Sequence, residues 1–540
     1  MPPQPGVNGL AATLPAMTLI AVPISVDDTA SAHARAARAA EHGADVVEYR
    51  IDTFTDPAAV QQLVAASPLP CLVTARAAWE GGHCDLEETD RVSLLEHAGL
   101  GADGMTPAYL DLELAAYKKS ANIRQKIGLV VDHPDQPRPD VSTGLILSTH
   151  DFDTFPSDLD RRVLDMADAP ACRVIKAAWR SRSLRDNIDA FELVARRLKP
   201  TIALCMGETG LPSRVLAKKF GAHLTFAALD ADSSSAPGQP TLDELKNLYR
   251  WDAQTPQTKV YGVIGWPVGH SASPAFHNAG FTATGYDGVY LPMPIPPEYE
   301  HFKATVIRWL DHAPLHFCGA SVTIPHKQNL VRFVEEQGGE IEPLAATIGA
   351  ANTLHKRADG SLYAGNTDYA AILGATRDKL GEDLSGKKIA VLGAGGAARA
   401  AVAGFAAEGA SVTVFNRTVA KAQALADEFG ATAKPLDELK PFDFALIINC
   451  TSLGMHPHVD ATPVVFDDAP SAERPTVFDT VYNPKETRLL REAAAAGCET
   501  INGLEMFVRQ GAAQYALWTD HDPPLDVFRE VLEARLAAGS

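Results

Sequence analysis

A lysine ends an apolar, strand-like run in the first half of the chain. Lys176 closes the sequence Cys172-Arg173-Val174-Ile175-Lys176. Burial disfavours the charged form of a lysine, so an inward-facing amine is a plausible nucleophile toward a ketone or aldehyde. The alternative is that Lys176 lies on an edge strand or extends its ammonium group to solvent. The first interpretation predicts a Schiff-base lysine at this position.

Polar side chains also follow the other strand-like runs of the first half. If these strands are parallel and form a barrel, residues after their carboxyl ends meet at one mouth. Taken singly, the residues have ordinary explanations, such as an ion pair between Glu48 and Arg50 or a helix-start cap at His150. Together they predict one site that contains Lys176 and a set of polar partners: Glu48, Arg50, Arg76, Glu80, His150, Arg214 and Gln239.

Eight short apolar runs alternate with helix-like stretches, a pattern that predicts a TIM barrel. The predicted strands are Leu19–Ile24, Ala44–Asp52, Pro70–Ala75, Tyr109–Leu114, Gly144–Thr149, Cys172–Ala177, Thr201–Met206 and His223–Leu229. A ninth run, Ile127–Val131, is predicted as a short extra strand. A closing helix is predicted over Leu242–Trp251, and Lys259–Gly265 begins a new strand and turn.

Residues 18 to 245 resemble type I 3-dehydroquinate dehydratase. The motifs that carry the resemblance are Glu48-Tyr49-Arg50, Arg76 with Glu80-Gly81-Gly82, Ser148-Thr149-His150-Asp151-Phe152, Val174-Ile175-Lys176, Ser213-Arg214 and Ser235-Ala236-Pro237-Gly238-Gln239. The resemblance implies that Lys176 forms an imine with the substrate ketone, with His150 as general acid/base and Glu80 assisting it. It implies that Arg214 holds the substrate carboxylate, and that the hydroxyls are bound by Glu48, Arg50, Arg76, Ser235 and Gln239.

A glycine-rich loop follows an apolar strand in the second half. The loop Gly393-Ala394-Gly395-Gly396-Ala397 follows Ile389–Leu392 and leads into an alanine-rich helix, the context in which backbone amides bind a pyrophosphate. The next predicted strand, Ser411–Phe415, ends at Asn416-Arg417-Thr418, with Lys421 beyond it. An NAD-specific unit usually carries an acidic residue there, so these basic and hydroxyl groups predict NADP. A solvated Arg417 is the alternative.

Residues 259 to 540 resemble shikimate dehydrogenase. The resemblance rests on 265–274 (GWPVGHSASP), 321–327 (SVTIPHK), 349–353 (GAANT), 365–368 (GNTD) and 506–511 (MFVRQG). It implies that Lys327 and Asp368 are the catalytic pair, although alone they would suggest a surface lysine and a helix cap. It also implies a set of substrate-binding residues: Ser271, Ser273, Thr323, Asn352, Tyr482 and Gln510. Ser321 stands where many members of the family have Asn, which puts discrimination against quinate in question.

Composition limits the other classes of function. The 540 residues carry a formal net charge of −19 and include no long Lys/Arg run, which argues against nucleic-acid and membrane partners. The 7 cysteines show no zinc-like spacing, so we expect no disulfide and no metal. The first 17 residues lack Lys and Arg and no run reaches transmembrane length, so the cytoplasm is the expected location, with the chain a monomer or homodimer.

The fold class expected from these features is α/β: a (β/α)8 TIM barrel followed by a two-domain, shikimate dehydrogenase-like unit with a Rossmann-type NADP-binding domain. The predicted divisions are a tail at 1–17, the barrel at 18–247, a linker at 248–258, a substrate domain at 259–370, an NADP domain at 371–505, and C-terminal helices at 506–540 that return to the substrate domain.

The sequence therefore predicts a bifunctional enzyme that dehydrates 3-dehydroquinate to 3-dehydroshikimate and then reduces this product to shikimate with NADPH. One alternative is a catabolic enzyme whose second half oxidises quinate or shikimate with NAD, against which Asn416-Arg417-Thr418 argues. Another is a regulator that senses pathway metabolites without turning them over. The four candidate catalytic groups Lys176, His150, Lys327 and Asp368, and the lack of a basic DNA-binding segment, argue against it.

Overall fold

The structure is a computed structural model that describes residues 17–138, 141–233, 238–466 and 474–538. The chain divides into two compact units, and the boundary between them along the sequence lies between Thr258 and Lys259. Within the described ranges, no helix has the length and apolar character needed to cross a membrane.

The first unit is built on a sheet of eight parallel strands. In chain order the strands are β1 (Leu19–Ser25), β2 (Val46–Arg50), β3 (Cys71–Thr74), β4 (Tyr109–Glu113), β5 (Gly144–Asp151), β6 (Cys172–Arg180), β7 (Thr201–Met206) and β8 (Leu224–Phe226). From β1 to β7, neighbours along the chain pair in parallel, and β1 also pairs with β8. His223 N donates to Thr201 O at 2.9 Å where β8 approaches β7. The sheet thus curls into the predicted TIM barrel.

Helices connect the strands of the barrel and cover them. They are α1 (Thr29–Glu41), α2 (Pro57–Ala65), α3 (Glu88–Leu100), α4 (Leu114–Lys119), α5 (Ala121–Gly128), α6 (Leu159–Asp168), α7 (Asp186–Ala195), α8 (Leu211–Val215) and α9 (Ala217–Phe220). Small and branched side chains such as Ala21, Val46, Leu72 and Ile146 form one buried cluster. A filled interior leaves room for a ligand only toward the carboxyl ends of the strands, which is where a site can form.

One detail of the predicted barrel is wrong, and a second differs in helix type and length. Ile127–Val131 is not a strand, because Ile127 lies in the last turn of α5 and Leu129 N continues that turn by bonding to Gln125 O at 3.1 Å. Ile123 and Ile127 are both buried, so the apolar spacing is that of a helix face. The predicted closing helix over Leu242–Trp251 is present but shorter, because helical residues run from 242 to 248, with π-type geometry over Glu244–Leu248, and a 3₁₀ turn follows at Trp251–Ala253.

The second unit contains two six-stranded sheets. The first has the order β10-β9-β11-β13-β14-β12, formed by β9 (Lys259–Gly265), β10 (Gly288–Pro294), β11 (Phe317–Val322), β12 (Glu340–Ile341), β13 (Thr353–Lys356) and β14 (Leu362–Gly365). Strands β9, β10 and β11 are parallel, whereas β13 runs antiparallel to both β11 and β14. Its helices are α10 (Ser273–Thr284), α11 (Tyr299–Asp311), α12 (Lys327–Glu336) and α13 (Pro343–Ile348).

The second sheet is parallel throughout and has the order β17-β16-β15-β18-β19-β20. Its strands are β15 (Lys388–Leu392), β16 (Ser411–Asn416), β17 (Thr432–Pro435), β18 (Leu446–Asn449), β19 (Thr476–Asp479) and β20 (Glu499–Ile501), with helices α14 (Thr367–Leu380), α15 (Gly396–Ala407), α16 (Val419–Phe429) and α17 (Arg488–Ala495). In this order the earliest strand lies centrally and the chain winds outward on both sides, as in Rossmann folds. Such sheets bind ligands where the winding direction changes, here beside β15 and β18.

Two C-terminal helices return to the first sheet of this unit. They are α18 (Gly503–Thr519) and α19 (Leu525–Ala538). Phe528 of α19 stacks on Phe276 of α10, with ring centroids 3.8 Å apart. Tyr515 and Trp518 of α18 belong to the same buried cluster. The apolar face of α18 therefore packs against the first sheet of this unit, and this packing positions the polar residues on the opposite face of the helix.

Candidate active sites

A cavity of about 100 Å³ opens at the carboxyl ends of the barrel strands. Its wall contains eight of the residues predicted for this site: Glu48, Arg50, Arg76, Glu80, His150, Lys176, Arg214 and Gln239. Ser235, the ninth, lies outside the described residues. The structure thus brings together side chains from strands and loops that are up to 191 positions apart, from 48 to 239.

Lys176 lies inside the barrel and not at an edge. Its side chain is 6% exposed, and its Nζ lies 2.8 Å from Asp111 Oδ2 and 3.7 Å from Glu48 Oε1. The ring centroid of Phe226 lies 4.7 Å from the same nitrogen. Since water is largely excluded, these two carboxylates are the anionic groups next to the amine, and they hold it in place inside the cavity.

Asp111 and Glu113 on β4 are functional candidates that the sequence interpretation missed. Arg76 donates to Asp111 Oδ1 at 2.7 Å and lies 3.1 Å from Glu113 Oε1, while Arg91 lies 2.7 Å from Glu113 Oε2. Burial opposes ionisation of Asp111, but Arg76 and Lys176 hold the pKa of this carboxyl well below its usual range. The sequence signal that could have identified them is the alternation of acidic and apolar residues in Tyr109–Glu113, which places both acidic side chains on one face of a strand.

A buried row of alternating charges therefore extends from Lys176 through the barrel wall. It runs through Asp111, Arg76 and Glu113 to Arg91, and all of these side chains except Lys176 are at most 5% exposed. Charges in such a row must keep their geometry, because a displaced member would leave its neighbours buried without a partner. The row consequently fixes where the amine of Lys176 can lie.

His150 and Glu80 form a second pair in the cavity. Glu80 Oε1 accepts a hydrogen bond from His150 N at 2.5 Å and lies 3.1 Å from His150 Nδ1. Burial, with the nearby carboxylate of Glu113, raises the pKa of Glu80 to about 8 against the opposing effect of Arg76. Burial lowers the pKa of His150 well below its ordinary value, and Arg76 and Lys176 lower it further. The imidazole is therefore neutral near pH 7, the state in which it can accept a proton.

The glycines next to Glu80 are required by close packing. Gly81 has a φ of +77°, and a Cβ placed there would lie 2.2 Å from the Phe152 ring. That ring stacks on the imidazole of His150, with centroids 6.2 Å apart. A Cβ on Gly82 would lie 2.1 Å from Arg76 O. Because they lack a Cβ, the two glycines leave space for both Glu80 and the Phe152 ring to contact His150.

Arg214, in α8, is a buried cation for which the described part of the chain supplies no anion. The residue is 3% exposed, its Nε has no hydrogen-bond partner, and it forms no ion pair with any described residue. Burial lowers the pKa of this guanidinium to about 10. An unpaired buried charge is costly, so the site is built to receive an anionic group from a ligand.

A cavity of about 220 Å³ lies in the second unit, between the ends of the two sheets. Its wall contains every residue predicted for substrate binding and catalysis there: Ser271, Ser273, Thr323, Lys327, Asn352, Asp368, Tyr482 and Gln510. Lys327 Nζ lies 2.5 Å from Asp368 Oδ2, so the pair is formed. The helix cap of α14 is Asn366, whose Oδ1 accepts from Asp368 N at 3.0 Å, which leaves the Asp368 carboxylate to Lys327.

Gln514 and Ser321 also line this cavity, and Gln514 was not predicted. Gln514 follows Gln510 by four positions on α18, so the helical period places both on one face. Ser321 Oγ accepts from Tyr290 Oη at 2.6 Å and donates to Gln514 Oε1 at 2.7 Å. The serine that departs from the family pattern is thus already hydrogen-bonded within the protein.

Two further cavities flank the glycine loop after β15. One of about 970 Å³ is lined by Gly393, Asn416 and Arg417, and one of about 530 Å³ by Ala394, Gly395, Gly396, Lys421 and Lys327. Ala397 and Thr418 line neither cavity, although Thr418 O accepts from Asn416 Nδ2 at 2.9 Å and so shapes the loop. Lys327 lines both the 530 Å³ and the 220 Å³ cavities, so two ligands, one in each cavity, would both lie next to this amine.

The loop itself fits a dinucleotide. Gly393 has a φ of +108°, a conformation that L side chains rarely adopt. A Cβ at Gly395 would meet nothing within 4 Å, so the backbone there faces open space that a phosphate group can fill. Gly396 begins α15, whose N-terminal amides point toward the same space. The residues present therefore suit a pyrophosphate, with Arg417 and Lys421 as the cations for a further phosphate.

Family models match both halves of the chain. The model described as type I 3-dehydroquinase matches residues 20–256. In the second half, the shikimate dehydrogenase substrate binding domain matches 263–354, shikimate/quinate 5-dehydrogenase matches 375–463, and the shikimate 5'-dehydrogenase C-terminal domain matches 503–533.

Individual relatives agree with these matches. The chloroplastic bifunctional 3-dehydroquinate dehydratase/shikimate dehydrogenase of Arabidopsis thaliana is 36% identical over 95% of this chain and 84% of its own length. Shikimate dehydrogenase (NADP(+)) of Methanosarcina mazei is 43% identical over 51% of this chain and 98% of its own. A solved shikimate 5-dehydrogenase from Thermus thermophilus, in complex with NADP(H) and shikimate, is 33% identical over 51% of this chain and 99% of that chain, with a TM-score of 0.45.

One relative thus extends along almost the whole chain, and each half separately matches the models expected for its fold. The chain belongs to the family of bifunctional 3-dehydroquinate dehydratase/shikimate dehydrogenase proteins.

Proposed function

We propose that this protein catalyses two successive steps, dehydration of 3-dehydroquinate to 3-dehydroshikimate in the barrel and NADPH-dependent reduction of that product to shikimate in the second unit. The observation that carries the proposal is that each unit brings an amine and its proton-handling partners to the wall of one cavity. These are Lys176 with His150 and Glu80 in the barrel, and Lys327 with Asp368 in the second unit.

In the barrel, the Lys176 amine adds to the substrate ketone and water leaves, which forms an imine. The electron-withdrawing imine acidifies the adjacent carbon, and His150 removes a proton from it. The same imidazole then returns this proton to the departing hydroxyl, which leaves as water. Hydrolysis of the imine releases the product and the free amine. Glu80 holds the ring of His150 through Nδ1, so this carboxyl group positions the base.

The substrate is held by the remaining groups of the cavity. Arg214, with its planar guanidinium, binds the carboxylate. The hydroxyl groups are bound by Glu48, Arg50, Arg76, Ser235 and Gln239. Arg50 is oriented for this role by two hydrogen bonds to Asp52, of 3.2 Å from Nε and 2.8 Å from Nη2.

Replacement of Arg214 by Met should separate binding from stability. Loss of the carboxylate contact is expected to raise KM for 3-dehydroquinate about 10- to 100-fold, the range of one hydrogen bond to a charged group. Because Arg214 has no counterion among the described residues, the urea midpoint of the barrel should be unchanged or higher. Steady-state kinetics and unfolding curves of both proteins would measure this. A lower midpoint with an unchanged KM would contradict it.

In the second unit, NADPH, when bound, would supply the hydride for reduction of the carbonyl carbon of 3-dehydroshikimate. Lys327 donates a proton to the carbonyl oxygen, and Asp368, 2.5 Å from Nζ, orients this amine. The carboxylate and hydroxyl groups of the substrate are held by Ser271, Ser273, Thr323, Asn352, Tyr482 and Gln510. Tyr482 packs against Phe507 with ring centroids 5.0 Å apart, which limits the orientations of its hydroxyl group.

The cofactor is NADP, bound by Gly393, Ala394, Gly395, Gly396 and Ala397 at the pyrophosphate and by Asn416, Arg417, Thr418 and Lys421 at the 2′-phosphate. An Arg417→Ala change is expected to raise KM for NADPH about 10- to 100-fold and leave KM for NADH almost unaltered, because only NADPH carries that phosphate. Initial rates with the two cofactors measure the effect, with Lys434→Ala on the neighbouring strand β17 as control. Equal effects on both cofactors would exclude a 2′-phosphate contact.

Alternative functions remain distinguishable. A catabolic dehydrogenase would prefer NAD and would oxidise quinate, whereas a metabolite-sensing regulator would bind these compounds without turnover.

We place the protein in the cytoplasm, as a monomer or homodimer without nucleic-acid or membrane partners. The relative from Arabidopsis is described as chloroplastic, so localisation of a tagged full-length chain is the test. The proposed domains are the barrel at 18–247, the substrate domain at 259–370, the NADP domain at 371–505 and the C-terminal helices at 506–540.

One absorbance experiment tests both activities. 3-Dehydroquinate is added to the purified protein without NADPH and the enone band of 3-dehydroshikimate is followed, after which NADPH is added. Appearance of the enone, and then its loss as NADPH is oxidised, is the expected result. If no enone forms but supplied 3-dehydroshikimate oxidises NADPH, the proposed dehydration is wrong. If the enone forms and persists with NADPH, the proposed reduction is wrong.

A further inference from the structure

Behind the 220 Å³ cavity, a chain of side-chain hydrogen bonds ends on the carboxylate that pairs with Lys327. Tyr290 Oη donates to Ser321 Oγ at 2.6 Å, Ser321 Oγ donates to Gln514 Oε1 at 2.7 Å, and Gln514 Nε2 donates to Thr353 Oγ1 at 3.0 Å. The chain continues from Thr353 through Asn352 to Asp368. Its six members come from β10, β11, α18, β13 with the residue before it, and the start of α14, so no single element could have supplied it.

The last two links complete the path. Thr353 Oγ1 donates to Asn352 Oδ1 at 2.8 Å, and Asn352 Nδ2 donates to Asp368 Oδ1 at 2.9 Å. The other oxygen of Asp368 lies 2.5 Å from Lys327 Nζ. The carboxylate is thus held on one side by this chain and on the other by the amine.

Backbone groups fix the direction of every donor in the chain. Asn352 Oδ1 accepts from Thr367 N at 2.9 Å, so the amide nitrogen of Asn352 must face Asp368. Gln514 Nε2 donates to Asn352 O at 3.1 Å, so the oxygen of this amide must face Ser321. Once both amides are oriented, Thr353 can only donate to Asn352, and Ser321 can only donate to Gln514. Tyr290 is then left as the donor to Ser321.

The environment of the chain makes these bonds costly to lose. Tyr290 and Thr353 are fully buried, and Gln514 is 1% exposed. Burial raises the pKa of Tyr290, so its hydroxyl keeps its proton and serves as donor. A buried donor or acceptor that loses its partner incurs its full desolvation cost, which makes the arrangement cooperative.

We propose that Tyr290, Ser321 and Thr353 are positioning residues for the reduction, because their one-directional hydrogen-bond chain holds the Asn352 amide against Asp368 and so holds Asp368 against Lys327. The inference rests on the proposed role of the Lys327–Asp368 pair. It gives Ser321 a role as a link between Tyr290 and Gln514. Tyr290 and Thr353 do not line the cavity, so they act through Asn352 and not on the substrate.

The test uses Thr353→Val in the full-length protein, with Thr353→Ser as the conservative variant. Valine keeps the volume of threonine but can neither accept from Gln514 nor donate to Asn352. The expected result is a kcat for NADP-dependent shikimate oxidation lowered about tenfold, the effect of one hydrogen bond, with KM for shikimate changed less than about threefold. Thr353→Ser, which keeps the hydroxyl group, should recover kcat to within about threefold of the wild-type value.

Thr376→Val is the matched control. Thr376 is also a fully buried threonine, on the same helix as Asp368, but its Oγ1 has no hydrogen-bond partner among the described residues. Its replacement should leave kcat unchanged. Tyr290→Phe, which removes only the first donor, should lower kcat in the same direction by about threefold.

Three results would overturn the proposal. A wild-type kcat in Thr353→Val would mean that the chain does not matter for turnover. Equal losses in Thr353→Val and Thr376→Val would mean that the effect comes from packing. A wild-type protein that forms the enone but shows no shikimate oxidation with NADP would overturn the proposed reduction, and with it this inference. The first two results leave the proposed reduction intact.

Discussion

Lys176→Met is expected to abolish dehydration of 3-dehydroquinate, with kcat lowered by about 10⁴-fold or more, and to leave shikimate oxidation unchanged. Removal of a covalent nucleophile has an effect of this size because the remaining groups cannot form the imine. The enone assay measures the first activity and NADP reduction measures the second. Borohydride added with the substrate should attach it covalently to Lys176 of the wild-type protein, and mass spectrometry of the peptide would locate it.

The variant should remain folded, which makes the result interpretable. Asp111, the closest partner of Lys176, is also bonded to Arg76 at 2.7 Å and to Ser148 Oγ at 2.6 Å. Its charge therefore keeps a cation when the lysine is lost. Lys219→Met is the matched control, since Lys219 is a buried lysine of the same barrel, 4% exposed, that does not line the cavity. Substantial dehydration by Lys176→Met would exclude the imine mechanism.

Lys327→Met is expected to lower shikimate oxidation about 10²- to 10⁴-fold, the range typical of a positioned acid or base, while dehydration continues at the wild-type rate. Asp368→Asn should have an effect of similar size. The two groups act as one unit, with 2.5 Å between Nζ and Oδ2, so the double variant should be little worse than either single one. Initial rates of NADP reduction for the three variants measure this.

A control for this series is Lys303→Met. Lys303 forms a comparable ion pair with Glu336, 2.8 Å from Nζ to Oε2, but lies outside both cavities at which Lys327 meets its ligands. Its loss should leave turnover unchanged, because a partly exposed pair contributes little. Fully additive losses in the Lys327 and Asp368 double variant would show that the two residues act separately.

Much of the architecture followed from local patterns. Short apolar runs between helical stretches predicted all eight barrel strands, because a strand in such a barrel buries both faces and is therefore apolar along its length. The glycine loop after Ile389–Leu392 predicted the start of the Rossmann unit, because a glycine-rich turn between an apolar strand and a helix is also a local pattern. The pattern failed at Ile127–Val131, where five apolar-rich residues can satisfy a helix face as well as a strand.

The predicted members of both sites were also set by local signals, since each stands at the end of a strand or in a specific motif. Lys176 could be named because a lysine is unusual in a buried strand, whereas the roles of His150 and Lys327 were named from the motifs that carry the family resemblance. What the sequence by itself determined was therefore the type of each unit, the reactive groups, and the order in which they occur along the chain.

Tertiary structure decided which groups support the reactive ones. The sequence around Asp111 and Glu113 is that of an ordinary strand. Only the folded barrel places Arg76 and Lys176 beside these two carboxylates. Likewise, nothing local connects Tyr290 with Gln514, yet both bond to Ser321. Burial is a property of the whole fold, and only burial makes such bonds strong enough to orient a catalytic side chain. Sequence patterns report local geometry, whereas these partners depend on the packing of segments distant along the chain.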